Sequence, residues 1–271
     1  MFIQVNQHTI HYVRYGNGPE LLCCLPGYGE TGTEFEALAG ILHRQFTVIC
    51  PDLPLHGQSS WLSDKFDPDD LYLVLRELSR QEGFGEKTMA LAGYSMGGRL
   101  ALAYAEKFPQ TLNRLILIAP DGLHQNFWYW LSTQTKTGNR LFYATMQHPG
   151  WLFRGMKWGR KLKLLNQSIV KFSHRYLDDP MQRKNLYERW TLFRKFRPNI
   201  GAVKVLINRQ PLPALLVFGK YDRIIPPALS KKLIAKNTPQ MKIVVLEAGH
   251  RLLRPQFAAT IASAISSLTV T

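Results

Sequence analysis

Cysteine is scarce in this 271-residue chain, which has only Cys23, Cys24 and Cys50. All three fall in apolar, strand-like runs, where a buried unpaired thiol is the expected state, so a disulfide framework is excluded as the source of stability. Long hydrophobic runs are missing too, and no apolar stretch approaches the length needed to span a bilayer. The stretch Met1-Phe2-Ile3-Gln4-Val5-Asn6-Gln7-His8 lacks a basic region followed by an apolar core, so a cytoplasmic location is expected. No internal repeat, low-complexity tract or metal-ligand spacing is visible, and neither a metal nor another cofactor is expected. What remains, 45% hydrophobic residues in 31.1 kDa, suffices for one large α/β domain with an insertion or for two modest domains.

Acidic residues are few, 19 against 34 Lys and Arg, which leaves a formal net charge of +15. The excess is local: between Asp121 and Gln210 there are 17 basic and 4 acidic residues, against 17 and 15 in everything else. Three explanations stand open for that segment: it holds an anionic small-molecule substrate by Arg forks and Lys charges, it touches an anionic lipid surface, or it is a solvated helical face. Nucleic acid is not an expected partner, because no recognised binding module accompanies the interleaved aromatics.

Elsewhere apolar runs alternate with helical periodicity. Residues 2 to 5 and 9 to 15 read as a hairpin, and Leu21 to Leu25, Phe46 to Cys50, Met89 to Ala92, Leu115 to Ile118, Ala214 to Phe218 and Lys242 to Leu246 read as strands. Helices are predicted from Glu34 to His43, Asp67 to Gln81, after Met96, from about Ala228 to Ala235 and from about Phe257 to Leu268. The fold class is therefore α/β, a mostly parallel central sheet with helices on both faces. The core spans 1–120 and 210–271, interrupted by a helical, basic, aromatic-rich insert over 121–209. Ligands of such sheets bind outside the carboxyl ends of the strands.

At one such end stands Gly93-Tyr94-Ser95-Met96-Gly97, entered from an apolar run and left through the helical stretch Leu100 to Ala105. A strand, a sharp turn and a helix around Gly-x-Ser-x-Gly make a nucleophile elbow. The turn forces Ser95 into a strained conformation, Gly93 and Gly97 supply the room, and the helix start favours an oxyanion. A serine hydroxyl needs an imidazole base, itself oriented by a carboxylate. His250 follows the strand Lys242 to Leu246, and Asp222 follows the strand Ala214 to Phe218; Asp121, just after Ile118, is the competing acid. His8, His11, His43, His124, His148 and His174 lack such placement. An oxyanion hole would draw on the backbone N–H groups of Met96 and Tyr28. Tyr94 and Arg99 are the candidate substrate-binding side chains; Arg99, one helical turn beyond Ser95, is read first as a brace for the Asp52 to Ser59 loop and second as a group that points toward the site.

On the elbow, the loop Asp52-Leu53-Pro54-Leu55-His56-Gly57-Gln58-Ser59, the stretch Gly219 to Pro226 and Gly249-His250, the chain resembles the α/β-hydrolase family. The resemblance implies Ser95 as nucleophile, Asp222 as acid, His250 as base and residues 121–209 as a cap. It also implies cleavage of a carboxylic ester or thioester through an acyl-Ser95 intermediate. The elbow is similar as well to that of the menaquinone-pathway lyases of this fold, which eliminate pyruvate with the same triad. A non-catalytic lipid-surface or partner-binding protein on this fold is the third reading. Hydrolysis without a metal predicts that turnover survives a chelator such as EDTA; loss of activity restored by a divalent cation would overturn it.

Overall fold

The computed structural model of the protein describes residues 1–124, 126–161, 177–209, 212–234 and 241–268. Eight strands form one open sheet: β1 (Phe2–Val5), β2 (His8–Tyr15), β3 (Glu20–Leu25), β4 (Phe46–Pro51), β5 (Met89–Tyr94), β6 (Leu112–Ile118), β7 (Ala214–Gly219) and β8 (Met241–Leu246). Their order is β1-β2-β4-β3-β5-β6-β7-β8. The β1–β2 and β2–β4 pairs are antiparallel and every other pair is parallel. Burial explains the sequence pattern. β4, β5 and β7 are buried at every position, as continuous apolar runs between helical layers must be, whereas β2 alternates and the edge strand β8 is largely open.

The helices of the core are α1 (Glu36–Leu42), α2 (Pro68–Gln81) and α3 (Met96–Lys107). The insert supplies α4 (Phe127–Gln134), α5 (Lys136–Gln147), α6 (Gly150–Lys161) and α7 (Pro180–Leu192). α8 (Ile200–Arg209) and α9 (Pro255–Ser266) complete the set among the described residues. α1 packs on α9, while α2 and α8 pack on α3. Asp67 starts α2 with a capping box: its carboxylate accepts the Asp69 and Asp70 N–H groups, and Asp70 accepts the Asp67 N–H at 3.0 Å. Such a cap stabilises a helix by about 1 kcal/mol. Buried Arg114 ties β6 to the start of β3 through Glu20, and its Nε donates to the Leu268 carbonyl at 3.1 Å.

The chain divides into a core unit, Met1–His124 with Phe196–Thr271, and a second unit, Gln125–Lys195. That second unit is narrower than the insert expected over 121–209, because residues 200–209 form α8 and bury Val203 and Ile207 within the core unit. In the second unit α4, α5 and α7 pack on one another around aromatic pairs, including Tyr129–Trp190 at 5.1 Å and Phe142–Tyr187 at 5.5 Å. Phe127 and Trp128 remain exposed. The helix expected from Ala228 is instead a 3-10 turn, Pro227–Lys232. It runs for only six residues, and short pieces are where the tighter winding occurs. Ala235, His174 and the middle of the basic segment, 162–176, lie outside the described residues. Among the described residues no helix is long and apolar enough to cross a membrane.

Where α3 begins, a Cβ on Gly97 would stand 2.0 Å from the Leu25 carbonyl oxygen, whereas one on Gly40 of α1 would meet nothing within 4 Å. Gly97→Ala should therefore lower the unfolding free energy by about 2–4 kcal/mol in a urea titration. Gly40→Ala should raise it by about 0.5–1 kcal/mol. Equal effects of the two would refute the close approach.

Candidate active site

Ser95 sits between β5 and α3 with φ 51° and ψ −114°, a conformation that few non-glycine residues adopt. The crowding around it explains the neighbouring glycines. A Cβ on Gly93 would lie 2.3 Å from the Gly97 carbonyl oxygen, and one on Gly98 would lie 2.6 Å from the Pro120 Cα. Gly98 was not singled out in the sequence, although the Gly97-Gly98 doublet carries its signal. The turn is fixed to the end of β6: the Ser95 N–H donates to Ile118 at 3.0 Å, and the Ser95 carbonyl accepts the Asp121 N–H at 2.9 Å.

The three residues expected to act together are brought together. His250 Nε2 lies 2.9 Å from Ser95 Oγ, and His250 Nδ1 lies 2.7 Å from Asp222 Oδ2. Each partner stands on a loop at the carboxyl end of a strand, Asp222 after β7 and His250 after β8. The two loops are stitched by Tyr221 N–H to Ala248 carbonyl at 2.9 Å, and Gly219 packs so closely on Gly249 that a Cβ would stand 2.1 Å from its carbonyl oxygen. Asp222 Oδ1 accepts the Ile224 and Ile225 N–H groups at 2.8 and 2.9 Å. Burial pushes this carboxyl's pKa up, but the hydrogen bonds from His250, Ile225 and Ile224 outweigh it and hold the pKa below the ordinary value. An ionised Asp222 fixes the tautomer: Nδ1–H donates to it, and Nε2 accepts the Ser95 hydroxyl.

Asp121, the competing acid, is engaged elsewhere. Its Oδ1 accepts the Gly122 N–H at 2.7 Å and its Oδ2 lies 3.4 Å from Arg99. Arg99 is 7% exposed and braces the loop after β6 through this pair. Tyr94 is 3% exposed, and its hydroxyl donates to the His250 carbonyl at 3.1 Å. Burial, reinforced by Glu30 and Asp222, raises its phenol well above the ordinary range. Both side chains are thus buried supports; Arg99 braces, as expected, but with Asp121 of the loop after β6 as a partner.

Leu25 pairs with Gly93 across β3 and β5, so the turn Pro26-Gly27-Tyr28-Gly29 abuts the elbow. Tyr28 on that turn and Met96 at the first position of α3, the two candidate oxyanion donors, therefore lie on adjoining backbone. Two acidic residues hold this region. Asp52 accepts the Gly32 N–H at 2.9 Å, the Gln58 N–H at 3.0 Å and His11 Nδ1 at 2.8 Å, which binds the loops after β3 and β4 into one body. The His56 ring of the second loop meets the Tyr28 ring edge-on at 6.1 Å. Glu30 closes the turn itself, its Oε2 accepting the Gly27 N–H at 3.1 Å. Burial first, then the neighbouring Glu34, raise the Glu30 carboxyl to about 7, against lowering by the Gly27 bond, His250 and Arg251. Sequence reasoning missed Glu30, which is visible only as an acid ending the glycine-rich turn.

A family model for the alpha/beta hydrolase fold matches residues 20–253. An uncharacterized hydrolase of Bacillus subtilis (strain 168) is 26% identical over 253 residues, 89% of this chain and 88% of the relative. Lipase 1 of Psychrobacter immobilis is 26% identical over 250 residues, 88% of this chain and 74% of the relative. The solved structure of a thermophilic esterase from Thermogutta terrifontis superposes with a TM-score of 0.67 at 20% identity, over 98% of this chain and 97% of that one.

Because the folded-state pKa of Glu30 is raised from 4.5 to about 7, its protonated form is favoured in the fold. Its contribution to stability is full below the unfolded value and is lost as pH rises toward the folded one. Glu30→Gln should therefore gain stability relative to wild type, by on the order of 1 kcal/mol, between about pH 5 and about pH 8. Parallel stability-versus-pH curves for the two proteins would refute the shift.

Proposed function

The chain belongs to the α/β-hydrolase fold family, and from that premise we propose that it is a cofactor-independent serine hydrolase acting on a carboxylic ester or thioester. The observation that carries this reading is the unbroken chain from Ser95 Oγ through His250 to Asp222, at 2.9 and 2.7 Å. His250 Nε2 takes the hydroxyl proton as Ser95 Oγ attacks the acyl carbon. The oxyanion is held by the Met96 and Tyr28 N–H groups, aided by the positive end of α3. His250 then gives its proton to the leaving alcohol or thiol, and the acyl-Ser95 ester remains. Water enters with His250 as its base, and the acid is released.

Asp222 does not carry the proton in this sequence; ionised, it stabilises the imidazolium formed in each half-reaction. The likeness to Lipase 1 along 88% of this chain supports an ester as substrate. The strained φ of Ser95 adds support, since a strained residue flanked by its base is a feature that stability alone does not explain.

Hydrolysis of a chain-length series of p-nitrophenyl esters and acyl-coenzyme A thioesters tests the proposal. Wild type should turn over at least one member, with Ser95→Ala and His250→Ala each lower by about 10³-fold or more. Turnover that survives Ser95→Ala, or folded wild type inert on every member, would overturn it.

A further inference from the structure

The unit Gln125–Lys195 holds 14 Lys and Arg against 3 Asp and Glu. Within it, a cavity of about 400 Å³ opens where the α4–α5 junction meets the 3-10 turn Phe193–Lys195 after α7. Its wall is firmly held. Gln134 Nε2 donates to the Arg194 carbonyl at 2.8 Å, and Asn139 donates to the Ser132 carbonyl at 2.9 Å while its Oδ1 accepts the Tyr187 hydroxyl at 3.0 Å.

Lys136, Arg140, Arg194 and Lys195 line this one concavity. Among the described residues none of the four lies within ion-pair distance of a carboxylate; of the unit's acids, Asp179 caps α7 and Glu188 lies 3.8 Å from Lys184. The arrangement opposes stability in two further ways. Lys136 and Arg140 are like charges one helical turn apart, which repel. Both also stand in the opening turns of α5, at the positive end of the helix dipole, where acidic residues belong and its first turn has none. Fold stability gains nothing from four cations so placed. An oxygen anion seated among them relieves the repulsion and the dipole mismatch together, and guanidinium forks are suited to phosphate oxygens.

We propose that this cavity is a binding site for a phosphate-class anion, either free or presented by a lipid headgroup. Its volume is that of a small-molecule site, so phosphate is the anchoring group rather than the whole ligand. The proposal is independent of the chemistry assigned to Ser95.

The test compares the full-length wild type with Lys136→Gln/Arg140→Gln, both exposed positions, and with Arg154→Gln/Lys184→Gln, which removes equal charge from exposed sites outside the cavity. Inorganic phosphate is titrated by calorimetry. Co-sedimentation uses phosphatidylcholine vesicles with and without phosphatidic acid. Saturable phosphate binding that weakens about tenfold in the first variant and less than about twofold in the second supports the site with a free anion as its source. Binding only to vesicles that contain phosphatidic acid, with the same pattern across variants, supports the site with the headgroup as source. Equal weakening in both variants, unchanged binding in the first, or no saturable binding of either probe overturns it.

Discussion

Backbone crowding at Ser95 is the constraint on which the site depends. A residue at positive φ costs about 1–3 kcal/mol of strain and persists only where its surroundings over-determine it. Here the surroundings do so from three sides: Gly93 and Gly97 touch across the turn, Gly98 meets Pro120, and Gly97 meets the end of β3. The neighbouring strand shares the strain, since Ala119 just beyond β6 also has a positive φ, 41°, and is tied to β7 by its N–H at 2.7 Å from the Val217 carbonyl oxygen. Ser95 therefore stands on a crowded, closely held part of the sheet, the condition that the proposed reaction sets for precise placement of its hydroxyl.

Three carboxylates around this point show how one functional group takes different tasks from the groups it meets and the segments those groups belong to. Asp222 accepts two backbone N–H groups and an imidazole, and its charged form is favoured despite burial. Asp52 collects two backbone N–H groups and His11, which makes it a clasp between loops. Glu30 accepts one N–H in a largely enclosed setting, and its neutral form is favoured up to about 7. Desolvation acts on both Asp222 and Glu30; the hydrogen-bond supply decides the outcome.

Much of this was legible in the sequence because it rests on local rules. Gly-x-Ser-x-Gly after an apolar run, with an acid and a histidine on later strand-end loops, needs no tertiary information beyond the order of a parallel sheet. What the sequence does not carry depends on direction and packing. Tyr94 and Arg99 sit beside Ser95 in the chain, yet one turns to the His250 carbonyl and the other to Asp121, choices set by space that spacing does not reveal. Charge marks the insert over 121–209, whereas the second compact unit is Gln125–Lys195 and α8 buries Val203 and Ile207 in the core unit. Glu30 was invisible for a related reason: its character comes from burial, and a lone acid after Gly29 reads as an ordinary turn residue.

The few cysteines acquire a meaning from where they lie. Cys23 and Cys24 are on β3 and Cys50 is on β4, all enclosed to within 1% exposure, and burial holds the Cys23 and Cys24 thiols far above their ordinary range. Those strands lead into the turn bearing Tyr28 and into Asp52, so the sulfurs meet an oxidant only when the backbone beside Ser95 separates. Oxidation of these three thiols is thus a record of molecules that have already come apart.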